Sequence, residues 1–192
     1  YAAAAVLAVV AGTASADVIT SYVRFGPPGD QISSPVGTVA ANVSALPLTR
    51  GAGLNPSAAG NSISSNGWDS LDGTDYFTFG FSVDAGYSVN LDNLWFGSRS
   101  SNTGPGFLSV YTSLDGFSAP VYSFAQVGTA FSNHIADMSS LTGLTGSVEF
   151  RIYADSGVSA NGGAISSGGT FRLGDHFDGA HFTEFRFEGT VV

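Results

Sequence analysis

From Tyr76 to Val83 the chain alternates, with Phe77, Phe79, Phe81 and Val83 on one face of an extended segment and Tyr76, Thr78, Gly80 and Ser82 on the other. A repeat of two is strand periodicity, because successive side chains of a strand point to opposite sides, whereas a helix repeats near 3.6. In the next run Val89, Leu91, Asn93, Trp95 and Gly97 oppose Asn90, Asp92, Leu94, Phe96 and Ser98. Bulky apolar groups occupy both faces near Trp95, as expected of a strand crossing the middle of a sandwich. Phe107 to Thr112 is rich in aromatic and β-branched residues that fit a pleated surface. Ser113-Leu114-Asp115-Gly116 follows with turn chemistry. The block from Asp75 to Phe124 is therefore the expected core of the domain.

Around this block the same signals recur. Val18 to Phe25 reads as a first strand stopped by Gly26-Pro27-Pro28-Gly29, and Val36 to Ala45 as a second closed by Pro47. Residues 50–74 are rich in Gly, Ser and Asn, and predict a long surface excursion carrying one large aromatic, Trp68. Ala130 to Met138 and Ser147 to Tyr153 predict further strands, joined by a Gly-rich connection at 156–170 to a short strand at Phe171 to Leu173. The segment from Gly174 to His181 reads as irregular. The last run, Thr183 to Val191, alternates again, with Phe185 and Phe187 inward and Glu184, Arg186 and Glu188 outward. If the strands holding Glu149–Arg151 and Glu184–Glu188 are neighbours, cross-strand ion pairs are expected. The pattern gives roughly nine or ten antiparallel strands and no amphipathic helix, so the fold class is all-β, a β-sandwich of the jelly-roll type.

Composition narrows the function classes. The chain has no cysteine, which removes disulfides, zinc-thiolate sites and thiol nucleophiles. Six arginines stand singly against fifteen acidic residues, a net charge of −9, so nothing resembles the basic footprint of a nucleic-acid binder. Residues 1–16 are uncharged, Ala-rich and end in Ala14-Ser15-Ala16, the small-x-small pattern that precedes a signal-peptidase cut. Their apolar run is too short to span a bilayer. Residues 1–16 are thus expected to be a signal peptide with a truncated front, and 17–192 a single mature domain.

Four groups of residues carry candidate chemistry. Asp69, Asp72 and Asp75 place three carboxylates in one short loop, the hard oxygen donors that calcium takes. His176 and His181, with Asp175 and Asp178, could hold a transition metal, although the spacing matches no zinc motif. Trp68, with Asn66, Asp69 and Asn102, could form a sugar site, the indole stacking on a ring face and the polar groups bonding hydroxyls. A Ser/His/Asp triad using His134 lacks a G-x-S-x-G elbow. The three glutamates, Glu149, Glu184 and Glu188, fall on outward faces beside arginines, unlike a glycosidase pair flanking a cleft. Trp95 and most of the fifteen phenylalanines are assigned to the core.

Several stretches together resemble bacterial exported proteins of the PEP-CTERM, exosortase-sorted class: GTVAANVSA, LTRGAGL at 48–54, DYFTFGFSVDAGYSVNLDNLWF, SVYTSLDGF at 109–117, LTGLTGSVEFRIYA at 141–154, and GTFRLGDHF with FRFEGTVV. The resemblance covers most of the mature chain but consists of strand and turn residues without a catalytic motif. It implies a jelly-roll-like ectodomain followed by a Pro-Glu-Pro motif, a hydrophobic helix and a basic end, whereas this sequence stops at Val192, where that tail would begin. It further implies a secreted or cell-surface protein of an exopolysaccharide-producing bacterium. The function expected is a non-enzymatic surface or extracellular-matrix component. The alternative is a carbohydrate-binding module that contacts extracellular polysaccharide and is stabilised by calcium.

Overall fold

The computed structural model describes residues 16–126, 128–177, 179 and 182–192, and the alternation that opened the sequence becomes a strand inside one of two facing sheets. In chain order the strands among the described residues are β1 (Asp17–Tyr22), β2 (Pro28–Gly29), β3 (Val36–Val39), β4 (Val43–Arg50), β5 (Asn55–Pro56), β6 (Ser62–Asn66), β7 (Tyr76–Val83) and β8 (Val89–Ser100). They continue with β9 (Phe107–Thr112), β10 (Pro120–Ala125), β11 (Ser132–Asp137), β12 (Gly146–Ala154), β13 (Phe171–Gly174), β14 (His176–Phe177), β15 (Phe182–Thr183) and β16 (Phe185–Val191). A five-stranded sheet has the order β10-β9-β12-β7-β4, and a nine-stranded sheet runs β2-β6-β13-β8-β16-β1-β3 with β11 on β8 and β5 on β6. The result is the expected β-sandwich of the jelly-roll type. Among the described residues every strand pair is antiparallel except β2 with β6, which is parallel.

Strand β8 organises the larger sheet. Gly97 pairs with both Asn133 and Gly174, and Trp95 with both Ile135 and Arg186, so β11 flanks one edge of β8 while β16 and then β13 share the other. The register slips between Glu188 and Gly189, where Leu91 and then Asn93 are the successive partners on β8. This bulge inserts Asp92, which inverts the alternation. Val89 and Leu91 point inward before it, and Leu94 and Phe96 after it. Trp95 consequently faces outward, contrary to the core position expected of it: Nε1 donates to Glu188 Oε2 at 2.7 Å and the Arg186 guanidinium lies over the ring at 4.6 Å.

Between the sheets the aromatic rings interlock, Phe79 against Phe185 at 4.8 Å and Phe150 against Phe187 at 4.7 Å. All four are essentially fully buried, each contributing on the order of 1.5–3 kcal/mol by transfer alone. Tyr22 on β1 reaches across the interior to β7, its hydroxyl within 2.8 Å of the Gly80 carbonyl and accepting from the Gly80 amide at 3.1 Å. Gly80 sits at φ 150°, and a Cβ there would lie 2.2 Å from the Val148 carbonyl oxygen, so only glycine lets β7 and β12 meet.

Three other expectations change. The segment Val36 to Ala45 is two strands, broken at Asn42 with φ 63°. The excursion at 50–74 contains β5 and β6, and β6 is almost wholly buried despite its Ser-rich sequence, because its backbone is paired with β13 and β5. The ion pairs at Glu149–Arg151 and Glu188–Arg186 form within their own strands, since β12 and β16 belong to opposite sheets. The residues assigned to a signal peptide, apart from Ala16, lie outside the described residues. Among the described residues no helix is long and apolar enough to cross a membrane.

Candidate functional site

The outward positions of β7, β12 and β9 converge on a groove. Register places Tyr153 opposite Tyr76 on one side and Ser109 on the other, and Arg151 opposite Thr78 and Tyr111. With the phenylalanines of β7 and β12 turned inward, these outward side chains meet on the sheet's open face. The rings of Tyr76 and Tyr153 are 5.2 Å apart, and those of Tyr111 and Tyr153 are 5.5 Å apart, nearly perpendicular. Arg151 is clamped between two rings, 4.3 Å from the centroid of Tyr76 and 4.0 Å from that of Phe117. Its Nε donates to Glu149 Oε1 at 2.7 Å and its Nη1 to Tyr153 Oη at 3.1 Å, while Thr78 Oγ1 donates to the same Glu149 oxygen at 2.8 Å.

One wall of the groove is the turn after β9. Ser113–Asp115 form a single 3-10 turn capped by Thr112, and Gly116 and then Phe117 both take left-handed backbone angles, φ 71° and 62°. For a bulky aromatic that conformation costs on the order of 1–3 kcal/mol. It is held by the Phe117 amide donating to the Thr112 carbonyl at 3.0 Å, and by Asp115 accepting from the Ser118 and Ala119 amides at 3.2 and 3.0 Å. The strain sets the Phe117 ring against Arg151. Gly73, from the loop before β7, forms the other wall, and the shallow, open cleft between them measures about 480 Å³.

Electrostatics keep the groove's groups in defined states. Partial burial opposes the charge of Arg151, but hydrogen bonds to Tyr153 and Glu149 outweigh it and hold the guanidinium cationic. Burial, and then the negative charge of Asp155, push the Tyr111 phenol up, so it stays a neutral hydroxyl. The groove thus offers ring edges and faces, a fixed cation and neutral hydroxyls. Such a surface suits a ligand with alternating C–H and O–H faces.

The residues singled out from sequence are placed elsewhere. Trp68 is not an exposed platform: it is 0% exposed, donates from Nε1 to the Ser65 carbonyl at 3.0 Å, and packs edge-on against Phe77 and Phe171. Its amphipathic ring seals the end of the core, a role open to it because the neighbouring carbonyl satisfies the N–H. Asn66 is half-buried and paired with Asn55, whereas Asp69 and Asn102 are exposed, and none of the four lines the groove.

The calcium reading of Asp69, Asp72 and Asp75 fails on geometry. Asp72 Oδ1 accepts from the Thr74 amide and hydroxyl at 2.9 and 2.6 Å, and Asp75 turns inward, 3% exposed, to accept from Ser70 Oγ at 2.6 Å. Those oxygens staple the loop to itself. Among the described residues no group of three His, Asp or Glu side chains could hold a metal ion. Of the second metal candidate, His176 stacks on Phe131 at 5.0 Å, and Asp178 and His181 lie outside the described residues.

His134 does meet a serine, with Nε2 2.9 Å from Ser98 Oγ, but the third partner is Gln126 Oε1, which accepts from Ser98 at 2.7 Å. Ser98 is fully buried, out of reach of any substrate, so the trio is a polar knot in the core. Sequence reading missed the groove because Tyr76, Tyr111 and Tyr153 are far apart along the chain. The available signal was aromatic residues on the outward positions of three predicted strands.

No protein-family model and no curated protein matches the chain. Among solved structures, a family 29 carbohydrate-binding module superposes with a TM-score of 0.47 at 11% identity, covering 92% of this chain and 90% of that one. A point mutant of a family 29 module, from work on how that family recognises ligands, superposes at 0.43 and 12% identity over 89% and 91% of the two chains. Both are loose likenesses of outline, and no residue of this chain takes a role from them.

Proposed function

We propose that this chain is an exported, non-enzymatic β-sandwich that binds a glycan in the groove on the five-stranded sheet. The observation that carries the proposal is the meeting of Tyr76, Tyr111 and Tyr153 around Arg151, walled by a strained Phe117. A tyrosine ring face accepts the C–H face of a pyranose, and Arg151, the tyrosine hydroxyls and Glu149 supply donors and acceptors for its hydroxyls. Holding Phe117 in a left-handed conformation beside this surface costs stability, which is the expected signature of a preorganised binding element. Export is supported by the Ala-rich leader with its small-x-small end and by the resemblance described above.

The test is affinity electrophoresis and calorimetry of residues 17–192 against neutral soluble polysaccharides: β-glucan, mannan, xylan and dextran. Binding to at least one is expected, with Kd between about 1 μM and 1 mM. Tyr153→Ala and Tyr111→Ala should each weaken it at least tenfold while the thermal midpoint moves by a few degrees at most. Wild-type affinity in both folded variants, or binding to none of the panel, overturns the proposal.

A further inference from the structure

On the opposite sheet lies a second cleft, of different chemistry. Of the chain's six arginines, four have local partners: Arg24 bonds Ser34, Arg50 bonds the carbonyls of Gly29, Gln31 and Ser64, and Arg151 and Arg186 pair with glutamates. The remaining two, Arg99 and Arg172, face each other directly across β8 and β13. Like charges at opposed positions of an antiparallel pair repel. Among the described residues neither guanidinium is in an ion pair, although acids outnumber arginines fifteen to six in this chain.

Both lie over the ring of Phe131, at 5.9 Å for Arg99 and 4.8 Å for Arg172, which fixes the two cations side by side. Burial, and then the charge of Arg99, push the pKa of Arg172 down, the direction expected of a cation awaiting an anion. The two arginines line a cleft of about 250 Å³ with Ser57, Ser64, Ser101 and Thr170.

We infer that this cleft binds one oxyanion carried on a sugar, the carboxylate of a uronic acid or a sulfate ester, so that the domain grips an acidic polysaccharide on the face opposite the groove. Guanidinium forks match the paired oxygens of either group, and the surrounding hydroxyls match a sugar. The net charge of −9 repels an extended polyanion. Recognition is therefore confined to a single charged group, and the dependence of log Kd on log salt should be shallow, with a slope of about one to two. The site is independent of the groove and stands if the groove binds nothing.

The experiment is calorimetric titration with polygalacturonate, dextran sulfate, inorganic sulfate alone and neutral dextran, on wild type, Arg99→Gln, Arg172→Gln and Arg172→Lys. Binding is expected for one or both acidic glycans and not for dextran at this site. Which glycan binds tells carboxylate from sulfate. Each arginine-to-glutamine variant should lose at least tenfold in affinity, and Arg172→Lys should fall between. Thermal midpoints of the glutamine variants should be unchanged or raised, because a repulsive pair has been removed, so misfolding cannot mimic the result. Unchanged affinity in both glutamine variants overturns the inference. Inorganic sulfate binding as tightly as either glycan overturns the sugar part of it.

Discussion

Acidification from pH 7.5 to 5 sets the unfolded chain and the native chain apart at His134. The ring is 7% exposed, stacked on Phe96 at 4.6 Å and beside Phe124 at 4.5 Å. Burial pushes its pKa down from 6.5 to about 4. An unfolded chain binds the proton near pH 6.5 and the native one only near 4, so stability is complete above the upper value and is lost as pH falls through that window. At 1.36 kcal/mol per pKa unit the whole loss is about 3 kcal/mol, of which about 2 kcal/mol has gone by pH 5. For a domain of this size that is a fall in Tm of about 4–8 °C.

Asp175 works in the opposite direction. Burial raises its carboxyl to about 6, with Arg24 opposing and Glu184 adding, so it favours the native state as pH falls from there towards 3.8. Wild type shows the difference of the two effects, and His134→Gln shows Asp175 alone. Calorimetric scans at pH 7.5, 6 and 5 should find the variant less stable at neutral pH, from the lost ring, but with an acid-induced fall in Tm smaller than wild type's by about 4–8 °C. The His134 Cε1 proton should show no titration above pH 5. Equal falls in the two proteins, or a native ring titrating near 6.5, would refute the reasoning.

Trp68→Ala should cost about 3–5 kcal/mol in chemical denaturation, because it empties a core site, while leaving glycan affinity at the groove intact in the folded fraction. Tyr22→Phe removes the hydroxyl that serves Gly80 and the Leu46 carbonyl across the sandwich, and should cost about 1–3 kcal/mol by the same measurement. Burial also pushes the Tyr22 phenol up to about 12, so wild type should lose stability between pH 10 and 12 and the phenylalanine variant should lose less. Gly80→Ala, with its Cβ forced onto the Val148 carbonyl, should destabilise by at least about 2 kcal/mol.

Where side-chain period alone decides, the sequence was readable. Phe77, Phe79 and Phe81 had one interior face available, and the fold class and most strands followed from runs of that kind. It was unreadable where backbone pairing overrode side-chain character. Ser62–Asn66 looks like loop because serine is polar, yet its amides and carbonyls are paired on both sides. Trp95 and Phe96 could not be assigned to faces without knowing that the chain bulges at Asp92. Trp68 looked like a ligand platform because it stands alone among small polar residues, but an isolated large ring is also what closes the end of a core. The groove needed strand order as well as alternation, since only the register of β7, β12 and β9 brings Tyr76, Tyr111, Tyr153 and Arg151 together.

The pairing of β1 with β16 also fixes the order in which the molecule can be assembled. β1 and β3 join the nine-stranded sheet only through β16, and Phe185 and Phe187 on that strand cover Phe79, Phe81 and Phe150. Synthesis at about 5–20 residues per second leaves the first-made strand waiting roughly 10–30 s for the last. During that interval the phenylalanine rows of β7 and β12 have no lid, and a closure spanning nearly the whole chain is slow in itself. The sandwich can therefore close only once β16 has been made, and until then β1 and β3 have no link to the rest of the sheet and the two phenylalanine rows stay open to water.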